Sequence, residues 1–386
     1  MDFSLSDEMT SRRDAYIFFL EEKIKPELNA WYRSGSMPKS MFSDMGHGGW
    51  LGFREINGTY SEDSMLQQSL IMEEIAKMSS GVAIAMLAHA SLGLKGLALF
   101  GTEAHVEKHL KNAAAGDTIL CAGNTENMAG SDVANIQTKA EKVSGGWVLN
   151  GAKSYVTNGI LADYALVTAI TDPQAKRTRR LSLFFVDLAA NGVSRKKLNK
   201  QTWIPSDLTR IQMKDVFVPD ADLMGERGRG LSHILEIFTN SRLTISALTL
   251  GTAEGAFKLA MDHARQRRIF GDAIVNFQAK SFEIADLYAR IESARLMVYK
   301  ACWSKDQGES DFGMHASMAK YLTVEIARQV CAWSADLFGA ASTVFEHPIH
   351  KYPMDVWGSS LGEGTQDVQK LIIFREVMKR MESENV

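Results

Sequence analysis

The stretch "KAEKVSGGWVLNGAKSYVTNG", residues 139–159, is where the chain changes its period. Short β-branched and aromatic runs are cut by Gly145-Gly146 and by two Asn-Gly pairs, Asn150-Gly151 and Asn158-Gly159. Asn-Gly supplies the positive φ angles of a tight turn, so this spacing predicts β-hairpins. The runs "YALVTAI", "LSLFFVDL" and "TRIQMKDVFVP" carry the strand pattern on to about residue 226.

Both flanks read as helices. Upstream, "RRDAYIFFLEEKIKPEL" (12–28) has apolar positions at helical spacing and is closed by Pro26, residues 64–100 read as a long pair of largely buried helices, and "EAHVEKHLKNAAAG" ends at Gly116. Downstream of "GERGRG" (225–230), helical periods cover 231–266, 276–305, 313–338 and 366–382. Helices, then strands, then helices predict an α+β chain. Its expected parts are an N-terminal helical domain over 1–118, a middle β-barrel or sandwich over 119–226, and a C-terminal four-helix bundle over 227–386. A parallel dinucleotide-binding sheet would need strands and helices in alternation, and "GERGRG" has neither the spacing nor the βαβ surroundings of that fingerprint.

Composition narrows the partners. The 386 residues are 45% hydrophobic and 23% charged, with a formal net charge of -3, so no net basic field exists to neutralise nucleic-acid phosphates. The basic run "KRTRR" (176–180) lies between two strand-like segments and reads as a solvated hairpin. Cys121, Cys302 and Cys331 form no CxxC pair and fit a reducing compartment. The polar, acidic N-terminus does not read as a signal peptide, and no uninterrupted apolar run is long enough to span a bilayer. These features predict a cytoplasmic protein without a membrane partner. The nine histidines show no metal-ligand spacing, so no metal site is expected.

A second stretch raises a chemical question. In "SSLGEGTQDVQK" (359–370) one acid, Glu363, stands between Gly362 and Gly364 just ahead of a helical run. A solvated turn would explain it. So would a carboxylate against which another molecule lies, because glycines let a backbone be approached closely.

Six stretches carry a family likeness. "TENMAGSD" (125–132), "YVTNG" (155–159), "RQRRIFG" (265–271), "FQAKSFEIAD" (277–286), "DLFGA" (336–340) and "GEGTQDVQ" (362–369) occur in an order and spacing that resemble the flavin-dependent acyl-CoA dehydrogenases over nearly the whole chain. The resemblance implies FAD as cofactor, an acyl-CoA substrate, an electron-transfer flavoprotein as acceptor, and a homotetramer. It also implies roles. Thr125, Ser131, Tyr155 and Thr157 would hold the flavin, with Ser131 also near the substrate. Arg267, Phe270 and Gln278 resemble residues that reach the FAD of a neighbouring subunit, and Asp336, Gly339, Thr365 and Asp367 match further FAD contacts. Within "FTNSR" (238–242), Asn240 and Arg242 resemble the lining of the pantetheine channel, joined at the thioester by Gly362, Gly364 and Ala88. Several positions depart from the family pattern: Asn127-Met128 replaces Pro-Gly, Tyr155 a tryptophan, and Asp336 and Asp367 glutamines.

On this resemblance Glu363 is the base that takes the α-proton of the acyl thioester. The alternative family position for the base, just before Arg242, is Ser241, which cannot serve as a carboxylate. Gly362, where an aromatic is common, together with Ala85 and Ala88, predicts room for a branched, cyclic or otherwise bulky acyl group. Three other readings stand beside this one: a dehydrogenase of a carrier-protein-bound acyl group in a biosynthetic pathway, an oxygen-using flavin oxidase or monooxygenase of the same fold, and a non-catalytic helical scaffold.

Overall fold

A computed structural model describes residues 4–384. The N-terminal part opens with α1 (Asp7–Phe19), whose first turn is capped by Ser6 Oγ accepting from the Met9 N–H at 3.2 Å. Helices α2 (Leu28–Ser34) and α3 (Ser40–His47) follow. Next comes a feature that the helical reading of this region missed, a hairpin of β1 (Phe53–Ile56) and β2 (Thr59–Glu62). Asn57 and Gly58 make its turn with φ of 51° and 80°, the same Asn-Gly chemistry that was read only further along.

Helices α4 (Met65–Met78), α5 (Ser80–Leu87), α6 (Lys95–Phe100), α7 (Glu103–His105) and α8 (Lys111–Ala114) complete this part, with a π-helical turn at Ala88–Leu94 joining α5 to α6. Ser64 and Ser79 cap α4 and α5. Ser80–Phe100, though interrupted by His89, Ser91 and Lys95, has the length and mean hydropathy of a membrane-crossing helix, but 78% of its most apolar window is buried inside the protein. It is a core element here.

The middle part is one eight-stranded sheet of β3 (Leu120–Gly123), β4 (Lys139–Val143), β5 (Gly146–Thr157), β6 (Tyr164–Ile170), β7 (Leu181–Asp187), β8 (Val193–Lys197), β9 (Leu208–Pro219) and β10 (Leu223–Met224). Its order is β10-β7-β6-β4-β5-β9-β8, with β3 parallel to β6. Strands β4 and β6 meet only at Lys139↔Ile170, so the sheet folds over at that seam. Trp147 of β5 then packs on Phe184 of β7, ring centroids 5.7 Å apart. Asn150-Gly151 does not turn. Strand β5 runs through it with a register shift against β9, where Asn150 Nδ2 donates to Asp215 Oδ1 at 3.0 Å. A cross-strand partner thus overrides the local hairpin preference.

The C-terminal part begins with α9 (Gly230–Gln266), followed by a small hairpin of β11 (Arg268–Ile269) and β12 (Asp272–Ala273), then α10 (Gln278–Asp306) and α11 (Phe312–Leu337). A short helix not expected from sequence, α12 (Lys351–Ser359), precedes α13 (Gln366–Glu384). Helix α9 is buried all round from Asn240 to Ala253, which marks it as the central rod of the molecule. It lies very close to α4: a Cβ on Gly251 or Gly255 would fall 2.1 Å from the Glu73 or Lys77 carbonyl oxygen. Each fully buried Leu or Ile along that rod contributes roughly 1.5–3 kcal/mol. Cys121, Cys302 and Cys331 are all free and buried.

Candidate active site

Glu363 stands in the turn between α12 and α13 with φ of 50°, a left-handed conformation that costs a non-glycine residue about 1–3 kcal/mol. The surroundings hold it there through its backbone. Arg242 Nε of α9 lies 3.5 Å from the Glu363 carbonyl oxygen, and Gln369 Nε2 of α13 donates to the same oxygen at 3.1 Å and to Gly364 O at 3.0 Å. Lys320 of α11, fully buried, donates through Nζ to both Gly362 O and Gly364 O. Three helices thus clamp three consecutive carbonyls.

The carboxylate itself is treated differently. Glu363 Oε2 is buried and has no hydrogen-bond partner among the described residues. A freely solvated turn would leave both oxygens wet; here the residue is half-buried and one oxygen is withdrawn from water without a partner among the described residues. Burial raises its pKa to about 7, against the opposing pull of Lys320 and Arg242. Burial lowers Lys320 to about 8 and Arg242 to about 10, with Glu363 opposing both changes.

Other expected residues fall into groups. Asn240 is buried beside Arg242 on α9; its Nδ2 donates to Glu236 O at 2.9 Å, while Oδ1 is a buried acceptor without a partner among the described residues. Ser241 is buried and donates to Phe238 O. Thr365 Oγ1 accepts from Val368 N–H at 3.4 Å as the cap of α13, whereas the Asp367 side chain is 93% exposed and faces Lys370. Ala85 and Ala88 are buried, and Asn158 Nδ2 ties the end of β5 to Ala85 O at 2.8 Å.

Thr125 and Tyr155 come together at the edge of the middle sheet, because Ser154 N–H donates to Thr125 O at 2.9 Å. A register shift between Lys153 and Val156 throws Tyr155 out of β5 with φ of 59°, leaving its ring 59% exposed. Thr157 is half-buried at the strand's end, and Ser131 is exposed in the loop after Thr125. Buried Asn124 Nδ2 and Asn158 Oδ1 lack partners among the described residues. An outturned aromatic face beside unspent polar atoms fits a planar, hydrogen-bonding group such as a flavin ring. Arg267, Phe270 and Gln278 lie elsewhere on this chain, on and beside the β11–β12 hairpin, all exposed, Phe270 by 98%. Asp336 and Gly339 are exposed around the C-terminal end of α11.

Glu126, the next carboxylate in the flavin loop, is spoken for. Its Oε1 accepts from Lys153 Nζ at 2.8 Å, Thr138 N–H at 3.0 Å and Thr138 Oγ1 at 2.6 Å, and Oε2 accepts from Gln137 N–H at 2.6 Å. Burial pushes its pKa up, but the Lys153 charge and these bonds outweigh it and hold the group below its ordinary value.

Three contributors escaped the sequence reading. Lys320 lies on the buried stripe Ala316, Lys320, Thr323, Ala327, and a lysine on such a stripe was the available signal. Gln369 ends the stretch "GEGTQDVQ", and its spacing carries no signal of a contact with the Glu363 carbonyl. Trp203 sits in the loop before β9 with φ of 57°, its N–H donating to Asp355 Oδ1 at 2.5 Å. Its ring packs on Gly358, and Cη2 lies 3.6 Å from where a Cβ on Gly362 would stand. Since Leu208 pairs with Thr157, this loop links the flavin edge to the glutamate turn.

Known proteins resemble this chain over nearly its whole length. Sequence profiles for the acyl-CoA dehydrogenase N-terminal, middle and C-terminal domains match residues 6–117, 121–216 and 228–378. The caffeyl-CoA reductase–Etf complex subunit CarC of Acetobacterium woodii is 32% identical over 94% of this chain and 96% of its own. Butyryl-CoA dehydrogenase from Megasphaera elsdenii superposes with a TM-score of 0.93 at 31% identity, covering 98% of this chain and 100% of that one. PigA, solved with FAD and proline, gives 0.93 at 28% identity, with 98% and 100% covered. The chain belongs to the acyl-CoA dehydrogenase family, as an FAD-dependent oxidoreductase acting on a CH–CH bond of an acyl thioester.

Proposed function

We propose that Glu363 is the base that removes the α-proton of an acyl-CoA. The observation that carries this is the buried, unpartnered Oε2 of a glutamate held only by its backbone. A general base must be free to accept and must titrate near the working pH, and a value of about 7 meets the second condition. Bound FAD supplies the acceptor for the β-hydride. Thr125, Ser131, Tyr155 and Thr157 hold that cofactor at the sheet edge, with Thr365 and the backbones around Asp336, Gly339 and Asp367 as further contacts.

The Glu363 N–H has no partner among the described residues. It bonds the thioester oxygen and stabilises the charge that grows there as the proton leaves. Asn240 and Arg242 flank the carrier arm, and Gly362, Gly364 and Ala88 border the acyl group. Arg267, Phe270 and Gln278, exposed on and beside the β11–β12 hairpin, complete the cofactor site of a second copy in a homotetramer. The electron acceptor is an electron-transfer flavoprotein, a proposal supported by the Etf complex to which the Acetobacterium relative belongs. The protein works in the cytoplasm.

Glu363→Gln keeps shape and the backbone N–H while removing the proton acceptor. Anaerobic flavin bleaching over a panel of acyl-CoA thioesters should fall ~100- to 10,000-fold with FAD content unchanged. Bleaching at the wild-type rate would overturn the assignment.

A further inference from the structure

The Gly362–Glu363 peptide carries the base on one side and, through its N–H, the proposed oxyanion donor on the other. In a trans peptide the C=O and N–H point in opposite directions. Lys320 Nζ takes the Gly362 carbonyl, and therefore turns the Glu363 N–H away from α11. The same amine takes Gly364 O, so one group holds the carbonyls of both glycines that flank Glu363. Lys320 has no exposed surface, and as a cation it faces the buried Glu363 carboxyl together with Arg242 of α9. Gln369 of α13 adds neutral donors only. The charged groups of the Trp203 loop and α12, Lys200, Lys351 and Asp355, act on one another and not on Glu363.

We infer that Lys320 is the positioning residue of the active site, setting the protonation of Glu363 by its charge and aiming the Glu363 N–H at the thioester oxygen by its hydrogen bond to Gly362. This rests on the reading of Glu363 as base. Lys320 touches neither substrate nor cofactor; it acts through the peptide that does. The sign of the electrostatic effect follows from the geometry. A cation favours the ionised carboxylate, and Lys320 titrates near 8, above Glu363, so it is mostly charged at the midpoint of the Glu363 titration. Removing it leaves burial opposed by Arg242 alone, and Glu363 protonates at higher pH.

The test uses the FAD-loaded protein and two variants, Lys320→Met, which removes charge and donors, and Lys320→Gln, which keeps donors without charge. Infrared difference spectra follow the carboxyl band lost in Glu363→Gln, a readout that needs no substrate. In Lys320→Met and Lys320→Gln its midpoint should rise by roughly 1–3 pH units. Above that midpoint, flavin reduction by butyryl-CoA, or by the panel thioester that bleaches wild type fastest, should fall ~10- to 100-fold in Lys320→Met. It should fall less in Lys320→Gln. An unmoved midpoint in whichever variant folds, or a full rate above the midpoint in Lys320→Met, overturns the inference. The base reading fails separately, if Glu363→Gln itself still reduces its flavin.

Discussion

Arg242 Nε lies 3.5 Å from the carbonyl oxygen of Glu363 and makes no hydrogen bond to the carboxylate. The arginine therefore holds the backbone of the proposed base and acts on its side chain only through the field. A direct ion pair would hold the carboxylate ionised but occupied. Here burial dominates and the group titrates near neutrality.

The first prediction is a pH profile. Because burial raises Glu363 above the ordinary carboxylate range, the protonated and inactive form persists as pH rises to about 7. Flavin reduction by a saturating acyl-CoA should climb about tenfold per pH unit below that value and level off above it. Stopped-flow measurement should show this acid limb in wild type and a flat line in Glu363→Gln.

Glu126 gives a contrasting result. Glu126→Gln leaves Lys153 as a buried cation without its anion, which should cost about 3–5 kcal/mol. Thermal melting should show the loss, and FAD occupancy should fall with the loosened loop. Flavin that remains bound should still be reduced at the wild-type rate, since Glu126 is fully engaged with Lys153, Thr138 and Gln137. A rate loss as large as that of Glu363→Gln would reassign the base.

Gly362 sets the next test. It does not need a positive φ, and a Cβ there would meet only Trp203 at 3.6 Å. Gly362→Tyr should fold and reduce flavin with straight short acyl-CoAs while losing branched or cyclic ones about tenfold or more, the scale of a few buried methylene contacts. Trp203→Ala should widen the same wall and favour bulkier acyl groups. Equal losses on both classes in Gly362→Tyr would mean that the glycine serves only the turn.

Assembly is tested at Phe270. A phenylalanine ring 98% exposed on one chain is expected to be covered in the assembled protein. Light scattering should give a tetramer for wild type and smaller species for Phe270→Asp, with FAD loss in parallel. A monomer with full flavin occupancy would refute shared cofactor sites.

Much of this was legible in the sequence because it is local. The change from helical to strand period near residue 119 and the placement of Glu363 between glycines ahead of α13 both follow from residue order and spacing. Locality also misled. Asn150-Gly151 carries the signal of a turn but lies within β5, since Asp215 of β9 offers its side chain better bonds there. Asn57-Gly58 does turn, inside a stretch read as helix. What only the tertiary structure decided is whether Glu363 is wet or dry, and which groups face it. Lys320 is 43 residues before it and Arg242 is 121 before it. Desolvation and a clamp made by α9, α11 and α13 exist only once those helices pack, so no spacing in the chain could have announced them.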